Sequence, residues 1–238
     1  MTDRIHQFLL AVYLLIAFSF IGVPNATAQT VELVEVSGQI EIWAKGEKGT
    51  LSKFDNAVVY LEGVTTPPPE ESEIVDQRKK KFRPRVLPIV EGQKVKFYNQ
   101  DSVSHNVFST DKNNNFDLGR YPKGEFKEVQ YNKRGMFKVY CNIHQSMILD
   151  ILVLGNQYFA TTDTKGNFKI SNVPDGKYEL NVWHIYGGEF SQPIEIKNSS
   201  LILPKIKIVN SKFVKDVVKH KNKDGKSYKK RRGRRGNY

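Results

Sequence analysis

The chain has one cysteine, three methionines, two tryptophans and five histidines in 238 residues. With one cysteine, no disulfide can form within the chain, so a covalent framework of the kind that holds small secreted domains together is excluded. The shortage of methionine argues against an exposed methionine-rich metal-transfer surface, since only Met1, Met136 and Met147 are available. The shortage of histidine argues against a second, catalytic metal centre. No stretch shows the spacing of a long amphipathic helix, and beyond residue 23 no apolar run is long enough to cross a bilayer. A twin-arginine pair is absent from the N-terminus.

The lone cysteine sits in Tyr140-Cys141-Asn142-Ile143-His144-Gln145-Ser146-Met147. A thiol, an imidazole and a thioether follow at three-residue intervals. Upstream, His105 lies in Asp101-Ser102-Val103-Ser104-His105-Asn106-Val107-Phe108. Taken singly, each of these residues has an ordinary role: cysteine is a small buried hydrophobe, and histidine and methionine pack or face solvent. Together, two His, one Cys and one Met make up the ligand set of an electron-transferring copper site. Cu(I) favours sulfur and Cu(II) favours nitrogen, and the mixed set suits both, so little rearrangement accompanies the redox change. The tight loop offers Cys141, His144 and Met147, and His105 must arrive from elsewhere in the fold.

These residues resemble the cupredoxins, the plastocyanin, pseudoazurin and amicyanin group. The Cys-x-x-His-x-x-Met spacing is most similar to amicyanin. Pro84, Pro88, Gly92, Val95, Phe97 and Asn99 resemble the strands that lead into the cupredoxin site. Phe82-Arg83-Pro84-Arg85-Val86-Leu87-Pro88, Phe116 to Gly124 and the Cys141 loop resemble plastocyanin-like proteins labelled methylamine utilization proteins. The resemblance covers about residues 70–155. It implies one type 1 copper held by His105, Cys141, His144 and Met147, with Met147 as the weak axial ligand and His144 as the electron port. It also implies that the Asn106 side chain ties the two ligand loops together.

The N-terminus reads as a secretory signal of residues 1–28. Arg4 supplies charge, Phe8 to Val23 is almost wholly apolar, and Ala26-Thr27-Ala28 is a small-x-small cleavage site. The expected compartment is the periplasm or another exported location. In such an oxidising setting a single cysteine is an intermolecular bridge, a vulnerable thiol or a metal ligand, and the ligand reading protects the sulfur.

The body reads as strands with β-branched and aromatic residues between Gly, Pro, Asn and Asp turns. Examples are Val31–Val36, Ala57–Leu61, Gln93–Phe97, Gly135–Tyr140, Ile148–Leu154 and Tyr178–Trp183. The expected class is all-β: a cupredoxin Greek-key sandwich with a second, smaller sandwich. Ala160 to Ile170 is a hairpin signal, and Asn172 to Tyr178 is a turn entering a strand. Together they resemble the carboxypeptidase regulatory-like domain, a transthyretin-like sandwich. That family begins with a Gly-containing strand and an Ala-Val-x-Val-type strand, and such a pair lies upstream at Ser37–Ile42 and Asn56–Leu61. The expected organisation is residues 29–66 as the first strands of the second sandwich, 67–155 as an inserted copper domain, and 156–210 as the remainder of the second sandwich. Two consecutive domains are the alternative.

The formal net charge is +12, of which residues 211–238 carry +10. This basic tail is expected to be disordered. It suits an acidic redox partner or an anionic membrane surface, and export argues against nucleic acid. The basic run Arg78–Lys81 reads as a solvated loop and strand edge. His184 reads as a strand residue, and His220 as a tail residue without partners.

The expected function is an exported carrier of single electrons between a donor and an acceptor protein, not an enzyme. Two alternatives remain: periplasmic copper handling by the same ligands, and a non-redox surface or carbohydrate-binding module resting on the second sandwich.

Overall fold

The computed structural model describes residues 34–44, 47–49, 57–185, 188–210 and 220–228. Residues 1–28, read above as a secretory signal, and most of the basic tail lie outside these residues. Among the described residues every regular element is a strand, as the alternating sequence implies, and no helix is long and apolar enough to cross a membrane.

Two groups of strands form two pairs of sheets. One group comprises β4 (Glu73–Gln77), β5 (Phe82–Arg83), β6 (Val86–Val90), β7 (Lys94–Asn99), β8 (His105–Ser109), β9 (Phe116–Tyr121), β10 (Phe126–Gln130), β11 (Gly135–Cys141) and β12 (Ile148–Leu154). Its sheets run β10-β7-β4-β5 and β6-β12-β11-β8-β9. The β4–β7 and β6–β12 pairs are parallel and the others antiparallel. Between the sheets lies a core that includes Val75, Leu87, Val95, Phe97, Val107, Val139, Leu149 and Ile151.

The second group comprises β1 (Val34–Ala44), β2 (Glu47–Gly49), β3 (Val58–Glu62), β13 (Phe159–Thr161), β14 (Asn167–Val173), β15 (Gly176–Trp183), β16 (Glu189–Ile196), β17 (Leu201–Ile202) and β18 (Ile206–Asn210). One sheet is centred on β1, which pairs with β14, β17, β18 and β2. The other runs β13-β3-β15-β16. Their shared core includes Ile40, Ile42, Leu61, Phe168, Ile170, Leu180 and Ile208. Strands before residue 63 therefore pair with strands after residue 158, while the strands between pair among themselves. Where the chain passes from one group to the other, Asn156 closes the two crossing segments. Its side-chain amide donates to the carbonyls of Leu61 (2.8 Å) and Val64 (3.0 Å).

The hairpin expected over Ala160–Ile170 does not form. β13 pairs with β3 in one sheet and β14 with β1 in the other, so the segment turns a corner between sheets. Asp163 builds that corner by accepting the amides of Lys165 and Asn167, each at 2.8 Å.

β6 and β12 are buried almost throughout. A strand places alternate side chains on opposite faces. Leu87, Ile89, Leu149, Ile151 and Val153 face the core between the first pair of sheets. Val86 and Leu152 face the other way, into a small cluster with Val58 of β3 and Trp183 of β15. The sheet that carries the β11–β12 loop thus packs on both sides.

Candidate metal centre

β8 and β11 are antiparallel neighbours, with Cys141 opposite Val107. His105 begins β8 and Cys141 ends β11, so pairing alone brings both to one pole of the sandwich. Residues 142–147 then link β11 to β12. Backbone bonds close this link tightly: Met147 N–H donates to the His144 carbonyl (3.1 Å), and Cys141 N–H to the Met147 carbonyl (3.2 Å). A third bond joins the two ligand segments, from Asn142 N–H to the Asn106 carbonyl (2.8 Å).

The result is a convergence of three donors. Cys141 Sγ lies 3.7 Å from His105 Nδ1 and 3.8 Å from His144 Nδ1, and the two Nδ1 atoms are 3.1 Å apart. A point equidistant from the three lies about 2 Å from each, the length of a metal–nitrogen bond. Lone pairs aimed at a common centre repel one another unless a cation occupies it, so the donor set fits a soft transition metal. His105 and Cys141 are fully buried, and His144 is half-buried at the rim. Met147 is fully buried in the same core as Cys141.

His105 is anchored on its outer side. Its Nε2 meets Asp101 Oδ2 at 2.9 Å. Asp101 also accepts the amide of Lys79 on Oδ1 (2.5 Å) and of Lys80 on Oδ2 (2.8 Å). Burial alone would raise the Asp101 carboxyl, but the Lys80 amide, the His105 ring and the Lys79 amide outweigh it and hold it below the usual range. Burial lowers the His105 pKa by more than Asp101 raises it, which favours the neutral ring a metal needs.

The run Arg78–Lys81 is therefore more than a solvated edge. It is a two-residue turn between β4 and β5, closed by Arg78 N–H to Lys81 carbonyl (3.0 Å) and the reverse bond (3.2 Å). It touches the ligand loop through Ser146 Oγ, 3.4 Å from the Lys80 carbonyl.

Two expectations change in detail. The Asn106 side chain does not tie the ligand loops; its amide donates to Asp117 on β9, and the tie runs through its backbone carbonyl. The register between β8 and β9 shifts after Asn106, which turns that side chain toward β9. Residues 220–228, expected in a disordered tail, lie against β11 and its loop. His220 stacks on Tyr140 with ring centres 4.2 Å apart, Tyr228 Oη donates to the Cys141 carbonyl (2.6 Å), and Lys223 N–H donates to Asn142 Oδ1 (3.0 Å). The Lys223 ammonium pairs with Asp117, whose carboxyl is held low against the opposing effect of burial. His184 is buried just past β15, apart from the cluster.

Sequence reasoning missed Asp101 and Tyr228. An aspartate four residues before a candidate ligand, and aromatic residues inside an otherwise charged tail, were the available signals.

Residues 70–154 match the family of copper binding proteins described as plastocyanin/azurin. Residues 145–201 match a family described as polysaccharide lyase family 4, domain II. No curated protein matches the chain. Among solved structures, a purple cupredoxin from Nitrosopumilus maritimus is 24% identical over 35% of this chain and 100% of its own, with a TM-score of 0.32. A copper-containing nitrite reductase from Thermus scotoductus SA-01 is 24% identical over 40% of this chain and 25% of its own, with a TM-score of 0.34. A Cu(I) form of an amicyanin variant is 16% identical over 40% of this chain and 98% of its own, with a TM-score of 0.34. The family match spans the first pair of sheets, the loop and the three converging donors, so residues 70–154 are similar to the copper binding proteins of the plastocyanin/azurin family in both sequence and donor set.

Proposed function

We propose that the protein is an exported carrier of single electrons built on one type 1 copper, held by Nδ1 of His105 and His144, by Cys141 Sγ and, weakly, by the sulfur of Met147. The observation that carries this reading is the convergence of two imidazole nitrogens and one cysteine sulfur within bonding reach of one point. Bound copper supplies a Cu(I)/Cu(II) couple. The residues supply a set of donors that need not move between the two states, because backbone hydrogen bonds fix Cys141, Met147 and the β8 segment to one another. His144, at the rim, is where electrons pass. The buried aromatic core around Phe97, Tyr121 and Tyr131 keeps water from the other side.

In this reading the copper domain is inserted in the second sandwich, and the lysines of the Arg78–Lys81 turn face an acidic exported partner. The match of residues 145–201 favours a second reading for the other sandwich, a carbohydrate-binding role. Retention on a polysaccharide column that is unaffected by copper removal would support it, and no retention on any glycan tested would remove it.

The main test is the visible spectrum after adding Cu(II), with Cys141→Ser alongside. An intense blue thiolate-to-copper band, absent in the variant and bleached reversibly by reductant, is the expected result. A colourless protein binding Cu(I) alone would transfer the case to copper handling, and no binding in either state would remove both.

A further inference from the structure

We infer that Asp101 is a positioning residue for the metal centre: its carboxylate holds the Nε2–H of His105, fixing the ring with the Nδ1 lone pair toward Cys141, and is itself held by the two central amides of the basic turn Arg78–Lys81. The inference rests on the copper reading above and names a residue outside the ligand set.

A neutral imidazole has one N–H donor and one acceptor, and an ionised carboxylate can only accept. With Nε2 at 2.9 Å from Asp101 Oδ2, the proton of the neutral ring sits on Nε2. Nδ1, facing Cys141 Sγ, is then the acceptor, the state required for ligation. The His105 side chain has no exposed surface, so water offers no competing partner. A carboxylate behind a ligating histidine also increases the basicity of the ring.

The second observation is how Asp101 is held. Lys79 and Lys80 have φ of 53° and 54°. Two successive residues in the left-handed region are what a tight hairpin turn demands, and Asn-Gly is the usual solution because side chains other than glycine, asparagine and aspartate rarely adopt it. Here two lysines adopt it, and both of their amides point at Asp101. The backbone of Asp101 is fixed in turn by its own N–H, which donates to Asn99 Oδ1 at 2.9 Å, while the Asn99 amide donates to the Val103 and Tyr121 carbonyls at 3.0 and 3.1 Å. Asn99 is fully buried. The chain of contacts runs from the core through Asp101 to a ligand nitrogen.

The first measurement is the tautomer of His105 in the copper-free protein, read from long-range 1H–15N correlations. The expected result is protonation at Nε2, and protonation at Nδ1 overturns the proposal without any variant. The second is Asp101→Asn. The asparagine oxygen can still accept a turn amide, but its NH2 group faces Nε2 and drives the ring proton to Nδ1. The expected loss of Cu(II) affinity is about 10- to 100-fold, and each tenfold loss relative to Cu(I) raises the reduction potential by about 59 mV. A variant that keeps the wild-type affinity and potential shows that Asp101 only closes the turn, and overturns the proposal. If the variant does not fold, the wild-type tautomer decides. Nε2 protonation in a protein that binds no copper sinks the copper reading and supports the orienting role of Asp101. A blue site over Nδ1-protonated apo-protein sinks the positioning role alone.

Discussion

Replacing Met147 with leucine separates its packing role from its role as a ligand. The side chain is fully buried beside Cys141, Leu149 and Ile151. Leucine conserves volume, and methionine–leucine exchange in a packed core costs less than about 1.5 kcal/mol. For a chain of this size, about 2–4 °C of melting temperature accompanies each kcal/mol, so the copper-free variant should melt within about 6 °C of the parent. The loop itself should persist, because the bonds that close it use the Met147 backbone. The copper properties should change much more. Removing the axial thioether takes a donor from both oxidation states, and the more highly charged Cu(II) loses more. The potential should rise by about 59 mV or more, the equivalent of a tenfold change in relative affinity for a one-electron couple. Cyclic voltammetry measures the potential and calorimetry the stability. Met147→Ala is a poorer test: a buried methionine-to-alanine change costs about 2–5 kcal/mol, and a potential shift would then be confounded with loop collapse. An unchanged potential and spectrum in the leucine variant, with unchanged stability, would refute coordination by Met147 and leave a three-ligand site.

Reversing charge at the turn with Lys79→Glu and Lys80→Glu should slow oxidation of the reduced protein by hexacyanoferrate(III) roughly tenfold at low salt. The effect should fade as ionic strength rises and the screening length falls to ~10 Å near 0.1 M; equal stopped-flow rates for parent and variant would mean that encounter occurs elsewhere. Asp150 is fully buried, with its carboxylate paired to Arg85 and Lys138. Those two cations are partly exposed and can turn to water, so Asp150→Ala should cost about 3 kcal/mol, the low end for breaking a buried pair. Urea titration reads this, and an unmoved midpoint would show that the pair is neutral to stability. Tyr228→Phe removes the donation to the Cys141 carbonyl and should cost about 1 kcal/mol, seen as a lower thermal midpoint; a variant and a chain lacking residues 220–238 that both melt like the parent would show that the segment does not hold the loop in solution.

The convergence of His105, Cys141 and His144 was legible because a soft metal site needs rare residue types at short, fixed spacing, and this chain has few other residues of those types. Strand β12 was legible end to end for a different reason: Met147 and Gly155 bracket a run of apolar residues interrupted only by Asp150. The supporting contacts were not legible. The amides that hold Asp101 come from Lys79 and Lys80 in a backbone conformation that nothing in a lysine run signals. The Asn106 side chain points to Asp117 because of a register shift between β8 and β9, and a sequence pattern does not reveal an irregular pairing. The corner at 160–170 has the turn chemistry of a hairpin, and the local sequence does not distinguish strands that pair with each other from strands that pair with two different partners. The tail was read from its charge, which is an average over residues, whereas the contacts of residues 220–228 come from particular ones: His220, Lys223 and Tyr228.

The apolar run of β12 bears on what the second sandwich does for the metal centre. A strand covered on one face would alternate apolar and polar residues; β12 does not, because Leu149, Ile151 and Val153 pack into the copper domain while Leu152 packs with Val86 against Val58 and Trp183 of the other sandwich. β12 is also the strand onto which the ligand loop closes, and Met147 immediately precedes it. Fixing that strand from both sides limits how far the Met147 end of the loop can move relative to Cys141 at the end of β11. Rigid donors are what the proposed one-electron carrier requires, and in that reading the second sandwich, which supplies none of the converging donors, acts through the packing of Trp183 and Val58 on β12.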